Sequence, residues 1–396
     1  MLRVVLDTLA VWGMRLAVLL FAPLLVFTAR TWRGRAVGVW ASAVWVFAVC
    51  AGYLTVVPEL VNPLPPPLVI LAFTSVLFLV VSFGWGVLAG AFLLCNPPDC
   101  RSDTPGLRSV YLGPLFLHRL QMVLLSEPDW LWLGTLLATR FDPRVGREER
   151  RLIRDTVRLH LDELAEGGEH RTLPPALPLM VWGRVLRPDH GHLFAYRPET
   201  EPAERLGLLV FLHGHGGNNL LYPHLLRPFA DEARCVLVCP SFGYGNWEHP
   251  HAVGCVERAV RYALEHFAEI DPARVILAGL SQGGAGVGRA AVALPEVFAG
   301  LVFISPTMEP AVLNNEALAG KRVLVIHGDA DRHVTLKSVE RGIEALRSAG
   351  ADVTVRRDPA GTHFLLFAQT QEVFRQMGEW VTAGGAGEGT PPAACG

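Results

Sequence analysis

One serine, one of two neighbouring aspartates and one of several histidines are the residue types that acyl-transfer chemistry needs. Ser281 sits at the centre of Gly279-Leu280-Ser281-Gln282-Gly283, directly after the branched apolar run Val275-Ile276-Leu277-Ala278. A strand, a sharp turn and a small-residue helix give G-x-S-x-G its meaning, because the turn lifts the hydroxyl clear of a sheet. A side chain at either flanking glycine would crowd that turn. A free hydroxyl is a weak nucleophile at neutral pH, so Ser281 needs a base. The base in turn needs a carboxylate to fix its tautomer and stabilise the imidazolium. Both lie downstream, each after an expected strand: Asp331 in His327-Gly328-Asp329-Ala330-Asp331-Arg332-His333-Val334, and His363 in Gly361-Thr362-His363-Phe364. Upstream, Leu209-Val210-Phe211-Leu212 runs into His213-Gly214-His215-Gly216-Gly217. Glycine-rich backbone of this kind turns N–H groups toward a developing alkoxide, and the His215 and Gln282 N–H groups are the expected donors.

These four stretches, with the lead-in Ile270-Asp271-Pro272-Ala273-Arg274-Val275, resemble the α/β-hydrolase superfamily, most closely its dienelactone hydrolase, feruloyl esterase and prolyl-oligopeptidase-like group. The resemblance covers about 180–383 and implies Ser281 as nucleophile, Asp331 as acid and His363 as base. The pattern H-G-x-x-D-x-x-V favours Asp331 over Asp329, although Thr335 stands where the family usually has proline. His333 is expected to line the site or face solvent, His213 and His327 to pack at strand ends, and Asp358 to serve a turn. Tyr244 and Trp247, on the loop 240–249, are candidate walls for an apolar or aromatic acyl group, with pinning of the loop as the rival role. Thr307 and Met308 are a further candidate wall. The histidines between 213 and 363 include no H-E-x-x-H or comparable pair, so neither a metal nor a cofactor is expected.

The elements that must carry these residues alternate. Strands are expected near 179–186, 192–197, 207–212, 235–239, 274–278, 299–304, 322–326 and 352–356. Helices are expected near 222–232, 251–268, 282–293, 311–319, 336–348 and 367–382. Apolar strands separated by amphipathic helices predict an α/β fold, a mostly parallel sheet with helices on both faces. Cys235 and Cys239 fall on a core strand and should pack as small hydrophobes.

The first part of the chain is of another kind. The whole is 51% hydrophobic and only 18% charged, and the apolar excess lies in the first hundred residues. Stretches 36–57 and 68–94 carry no charge, and each exceeds the roughly 20 residues needed to cross a bilayer as a helix. Residues 8–29 are a third candidate, interrupted by Arg15. Residues 107–139 are read as one or two helices at the membrane surface, with a further span as the alternative and Trp130 and Trp132 as an interfacial belt. An arginine-rich amphipathic helix is expected over 142–167, with Ile153, Val157, Leu161 and Leu164 on one face. Its polar face would meet solvent or anionic lipid. The resulting division is an all-α membrane region 1–106, a helical linker 107–175, a hydrolase domain 176–383 and a disordered tail 384–396.

Arg30, Arg33 and Arg35 precede the first clear span, whereas the loop 58–67 carries only Glu59. The positive-inside bias then places the hydrolase on the cytoplasmic side, which in this Ala-, Arg-, Gly- and Pro-rich, bacterial-looking chain means the inner membrane. Seven scattered cysteines are no disulfide framework, and Cys95 and Cys100 are expected as thiols. A net charge of −2 gives no reason to expect nucleic acid. The expected function is a membrane-anchored serine hydrolase acting on a small-molecule or lipid-like ester, with the lipid bilayer as its partner. A prolyl-oligopeptidase-type peptidase, an acyl transferase and a catalytically inactive interaction module are the alternatives.

Overall fold

The computed structural model describes residues 106–111, 131–132, 135–136, 139–140, 143–166, 191–199, 201, 204–243 and 245–384. In chain order the elements are β1 (Leu107–Tyr111), α1 (Arg147–Glu166), β2 (His192–Tyr196), β3 (Leu206–Leu212), α2 (Leu221–Glu232), β4 (Cys235–Pro240), α3 (Ala252–His266), β5 (Ile270–Leu280), α4 (Gly283–Ala293), β6 (Gly300–Ile304), α5 (Pro310–Leu313), β7 (Arg322–Gly328), α6 (Leu336–Ser348), β8 (Asp352–Asp358), α7 (Leu365–Ala368) and α8 (Thr370–Gly384). The strands pair in the order β1-β2-β4-β3-β5-β6-β7-β8. From β4 to β8 the neighbours run parallel, while β1 and β2 close one edge antiparallel.

Leu-, Val- and Ile-rich runs become the central strands because helices cover both faces, so inward and outward positions alike are dry. Every residue of β3, β4 and β6 is buried. Alternate residues Leu206, Leu208, Val210 and Leu212 share one cluster with Cys255, Val256 and Ala259 of α3, Val287 and Ala290 of α4, and Val339 and Ile343 of α6. On the other side Phe211 meets Tyr222 of α2, and Phe229 of α2 meets Phe374 of α8. Cys235, Cys239 and Cys255 are buried free thiols whose pKa values burial raises, as expected of small hydrophobes.

One expectation is corrected. Residues 107–111 belong to no surface helix: they form the edge strand β1, with Leu107 and Ser109 buried and Arg108 exposed. That alternation is a strand's period, but the partner, β2, lies far along the chain. The amphipathic helix is present as α1, and Ile153, Val157, Leu161 and Leu164 are all buried. It packs on α2 and α7, so the apolar face is covered by the rest of the domain. The spans 8–29, 36–57 and 68–94, Trp130, the strand near 179–186, Cys95, Cys100 and all of the tail beyond 384 lie outside the described residues. Among the described residues no helix is long and apolar enough to cross a membrane.

Leu161 is only 1% exposed. Leu161→Ala should therefore lower the unfolding free energy by about 2–5 kcal/mol in urea denaturation. A change below about 0.5 kcal/mol, typical of a surface position, would mean that α1 does not belong to this core.

Candidate active site

The turn from β5 into α4 holds Ser281 at φ 53°, left-handed for a residue with a side chain. Such backbone costs about 1–3 kcal/mol and persists where its surroundings fix it. Here the Ser281 N–H donates to Ile304 O at 3.0 Å, and Ser281 O accepts from Gly284 N–H at 2.9 Å and Thr307 N–H at 2.8 Å. Gly283 follows because a Cβ there would sit 2.2 Å from Leu212 O, at the end of β3. The elbow is thereby pressed against the strand that runs into the His213–Gly217 loop. A Cβ on Gly214 would lie 3.3 Å from Ser281 Cβ, so that loop adjoins the serine.

Beyond the ends of β7 and β8 the loops bearing Asp331 and His363 are knitted together. Ala330 N–H donates to Gly361 O at 3.0 Å and Asp329 N–H to Asp358 O at 2.9 Å. A Cβ on Gly328 would stand 2.1 Å from Gly361 O, so glycine is required where the two loops cross. Between them His363 bridges the chemistry: Nδ1 is 2.8 Å from Asp331 Oδ2, and Nε2 is 2.9 Å from Ser281 Oγ. A carboxylate can only accept, so Nδ1 carries the proton and Nε2 is left to accept from the serine hydroxyl.

Asp331 Oδ1 accepts from the N–H groups of His333 at 2.7 Å and Val334 at 2.9 Å. Burial works to raise this carboxyl, but His363 and the two N–H groups outweigh it and hold its pKa below the usual value. Asp329 points elsewhere, into a two-point pair with Arg357 at 2.8 and 3.0 Å that also lowers its pKa. Asp358 accepts from Ala360 N–H at 2.9 Å, as a turn residue does. His327 is buried 3.9 Å from Asp331 Oδ2, and desolvation lowers its pKa, favouring the neutral ring. His333 stacks on His363 with ring centroids 4.8 Å apart and so lines the site.

The expected pocket walls fare differently. Trp247 is 0% exposed: its indole N–H donates to His213 O at 2.8 Å and its ring stacks on Phe242. It pins the loop and has no surface to offer an acyl group. Met308 is likewise buried, against Gly342 of α6. Tyr244 lies outside the described residues, while Thr307 holds the elbow through its N–H. His215 is exposed on its loop, and Gln282 follows the serine as the residue capping α4. The His213 ring accepts from Phe242 N–H at 3.0 Å and packs at a strand end, as expected. Sequence reasoning missed Tyr222, whose buried phenol bonds to the Gly214 backbone. Burial pushes its pKa up to about 12 although that bond works against the rise. An aromatic on a helix next to a glycine-rich loop is ordinary core by type, so only the fold reveals it.

Geometrically, a proton can pass from Ser281 Oγ to His363 while Asp331 steadies the charge that forms. Residues 209–380 match the model described as "Alpha/beta hydrolase family". Together with the sheet and the elbow, this makes the C-terminal half of the chain an α/β-hydrolase superfamily domain. Similar solved structures include a thermostable esterase, 21% identical with a TM-score of 0.41, over 48% of this chain and 58% of that one. The acylaminoacyl peptidase of Pyrococcus horikoshii is 13% identical with a TM-score of 0.39, over 48% of this chain and 39% of that one. Esterase 2 of Thermogutta terrifontis is 19% identical with a TM-score of 0.40, over 48% and 89%. The chain thus spans less than two thirds of the length of the first two. No curated protein matches it significantly.

Asp331→Asn should lower kcat by about 10⁴-fold, whereas Asp329→Asn should change it little, because an amide facing Nδ1 favours the wrong tautomer. The reverse ranking in ester hydrolysis would move the acid's role to Asp329. The lowered pKa of Asp331 also sets a pH dependence of stability. A folded carboxyl below its unfolded value of about 3.9 stabilises fully above that value, and the contribution fades as the pH falls through the folded pKa. The stability gap between the unsubstituted chain and Asp331→Asn should therefore narrow between about pH 5 and pH 2. A gap independent of pH would contradict the charged, hydrogen-bonded carboxylate.

Proposed function

We propose that the chain is a membrane-anchored serine hydrolase that cleaves esters through an acyl-enzyme on Ser281. The observation that carries this reading is the unbroken path Ser281–His363–Asp331 at a strand–helix elbow. Ser281 Oγ attacks the ester carbonyl while His363 Nε2 takes its proton, and the N–H groups of Gln282 and His215 receive the developing oxyanion. The tetrahedral adduct collapses as His363 returns that proton to the departing alcohol. Water then attacks the acyl-enzyme, giving its proton to His363, and the acid leaves with Ser281 restored. His333, stacked on His363, limits the freedom of the base.

Anchoring rests on the charge-free stretches 36–57 and 68–94. Orientation rests on Arg30, Arg33 and Arg35 beside an arginine-free loop 58–67. Because β1 and β2 are paired in one sheet, the segment between them cannot end on the opposite side of a membrane. That supports a catalytic domain facing the cytoplasm.

Ser281→Ala should lower kcat on p-nitrophenyl esters by about 10⁴-fold or more with little change in substrate binding. Retention of a tenth of the activity would remove Ser281 from the chemistry. Faster turnover of peptides than of esters by the unsubstituted chain would favour the peptidase reading. Alkaline phosphatase fused after residue 384 should be silent and a cytoplasmic reporter active, and the opposite pair of results would invert the topology.

A further inference from the structure

Helices α1 and α2 border a cavity of about 770 Å³ that none of the residues at Ser281 lines. On its wall His160 and Glu163, one helical turn apart on α1, meet His224 of α2. His160 Nδ1 and His224 Nε2 each lie 2.9 Å from the same carboxylate oxygen, Glu163 Oε2. The two imidazoles stand edge to face at 5.5 Å, and the three donor atoms lie within 4.8 Å of one another. The histidine side chains are 17% and 14% exposed and that of Glu163 44%, so the rings are held by their surroundings while the carboxylate stays open to solvent.

Two imidazole nitrogens and one carboxylate oxygen suit zinc, whereas magnesium and calcium take oxygen donors. Zinc bonds of about 2.0–2.1 Å set tetrahedral ligand atoms roughly 3.3 Å apart, so each nitrogen-to-carboxylate distance of 2.9 Å need open only by a few tenths of an ångström, while the two imidazole nitrogens, within 4.8 Å of each other, close on the same ion. We propose that His160, Glu163 and His224 form a zinc site that staples α1 to α2, with a fourth position open to the cavity. In the metal-free state Arg227 Nη2, 3.2 Å from His224 Nδ1, keeps the ring proton on Nε2. Zinc on Nε2 moves that proton to Nδ1 and turns the guanidinium away, and the His160 proton likewise moves to its far nitrogen. Only His160 and Glu163 share a helix, and the third ligand, His224, comes from a helix well separated in sequence, so local spacing does not announce the set.

The test is zinc titration of the EDTA-treated, dialysed full-length chain by calorimetry, with metal content measured by mass spectrometry. The unsubstituted chain should bind an equivalent that Glu163→Gln and His224→Ala each weaken by at least about 100-fold. That equivalent should persist in His333→Ala, which breaks the other close donor group, Asp331–His333–His363. Glu163→Gln should keep its esterase activity. Zinc should raise the melting temperature of the unsubstituted chain but not of Glu163→Gln, which also decides the matter should His224→Ala fail to fold. No zinc uptake, equal affinity in Glu163→Gln, or loss of the equivalent in His333→Ala would overturn the proposal.

Discussion

The site depends on backbone meeting backbone with no side chain between. At the elbow the α4 entry abuts the end of β3, where a Cβ at Gly283 would fall 2.2 Å from Leu212 O. At the other end Gly328 lies so close to Gly361 that the loops after β7 and β8 behave as one piece. Neither contact adds much energy. Their value is positional, because His363 must donate to Asp331 and accept from Ser281 at once, which tolerates errors of only a few tenths of an ångström. The left-handed backbone of Ser281 is the opposing term, about 1–3 kcal/mol. It is offset by hydrogen bonds from Ser281 N–H and to Ser281 O, and by the packing of β5 between β3 and β6.

The same crossing of loops decides the electrostatics. A buried carboxylate is costly unless its oxygens are filled with donors. Asp331 has three: two backbone N–H groups on Oδ1 and the imidazole on Oδ2. Two residues earlier, Asp329 reaches Arg357 on β8, near solvent, where a carboxylate is stable without help from the site. A neutral, buried His327 beside Asp331 adds no competing positive charge. Burial and donor count, rather than residue type, distinguish the two aspartates.

Much of this was legible in the sequence, for physical reasons that also mark the limits. Continuous apolar runs announce strands buried on both faces, and β3, β4, β6, β7 and the later half of β5 are such strands. The elbow is a local motif whose glycines have a steric cause, and the order serine, aspartate, histidine follows from successive strand ends. By contrast β1 has only five residues and its partner is remote, so its alternation passed for part of a helical segment. Trp247 and Met308 have the composition of a pocket wall, yet side-chain type does not say whether a loop turns it inward. For α1 the pattern marks an apolar face, but only the fold shows protein covering it.

The most direct measurement is the mass of the intact chain, and of its peptides, after exposure to a fluorophosphonate. Phosphonylation needs a hydroxyl activated by a neighbouring base and so reports the Ser281–His363 contact itself. The expected result is one adduct, on the peptide containing Ser281, that fails to form in His363→Ala. No adduct, an adduct on another serine, or undiminished labelling in His363→Ala would contradict a nucleophile at the elbow.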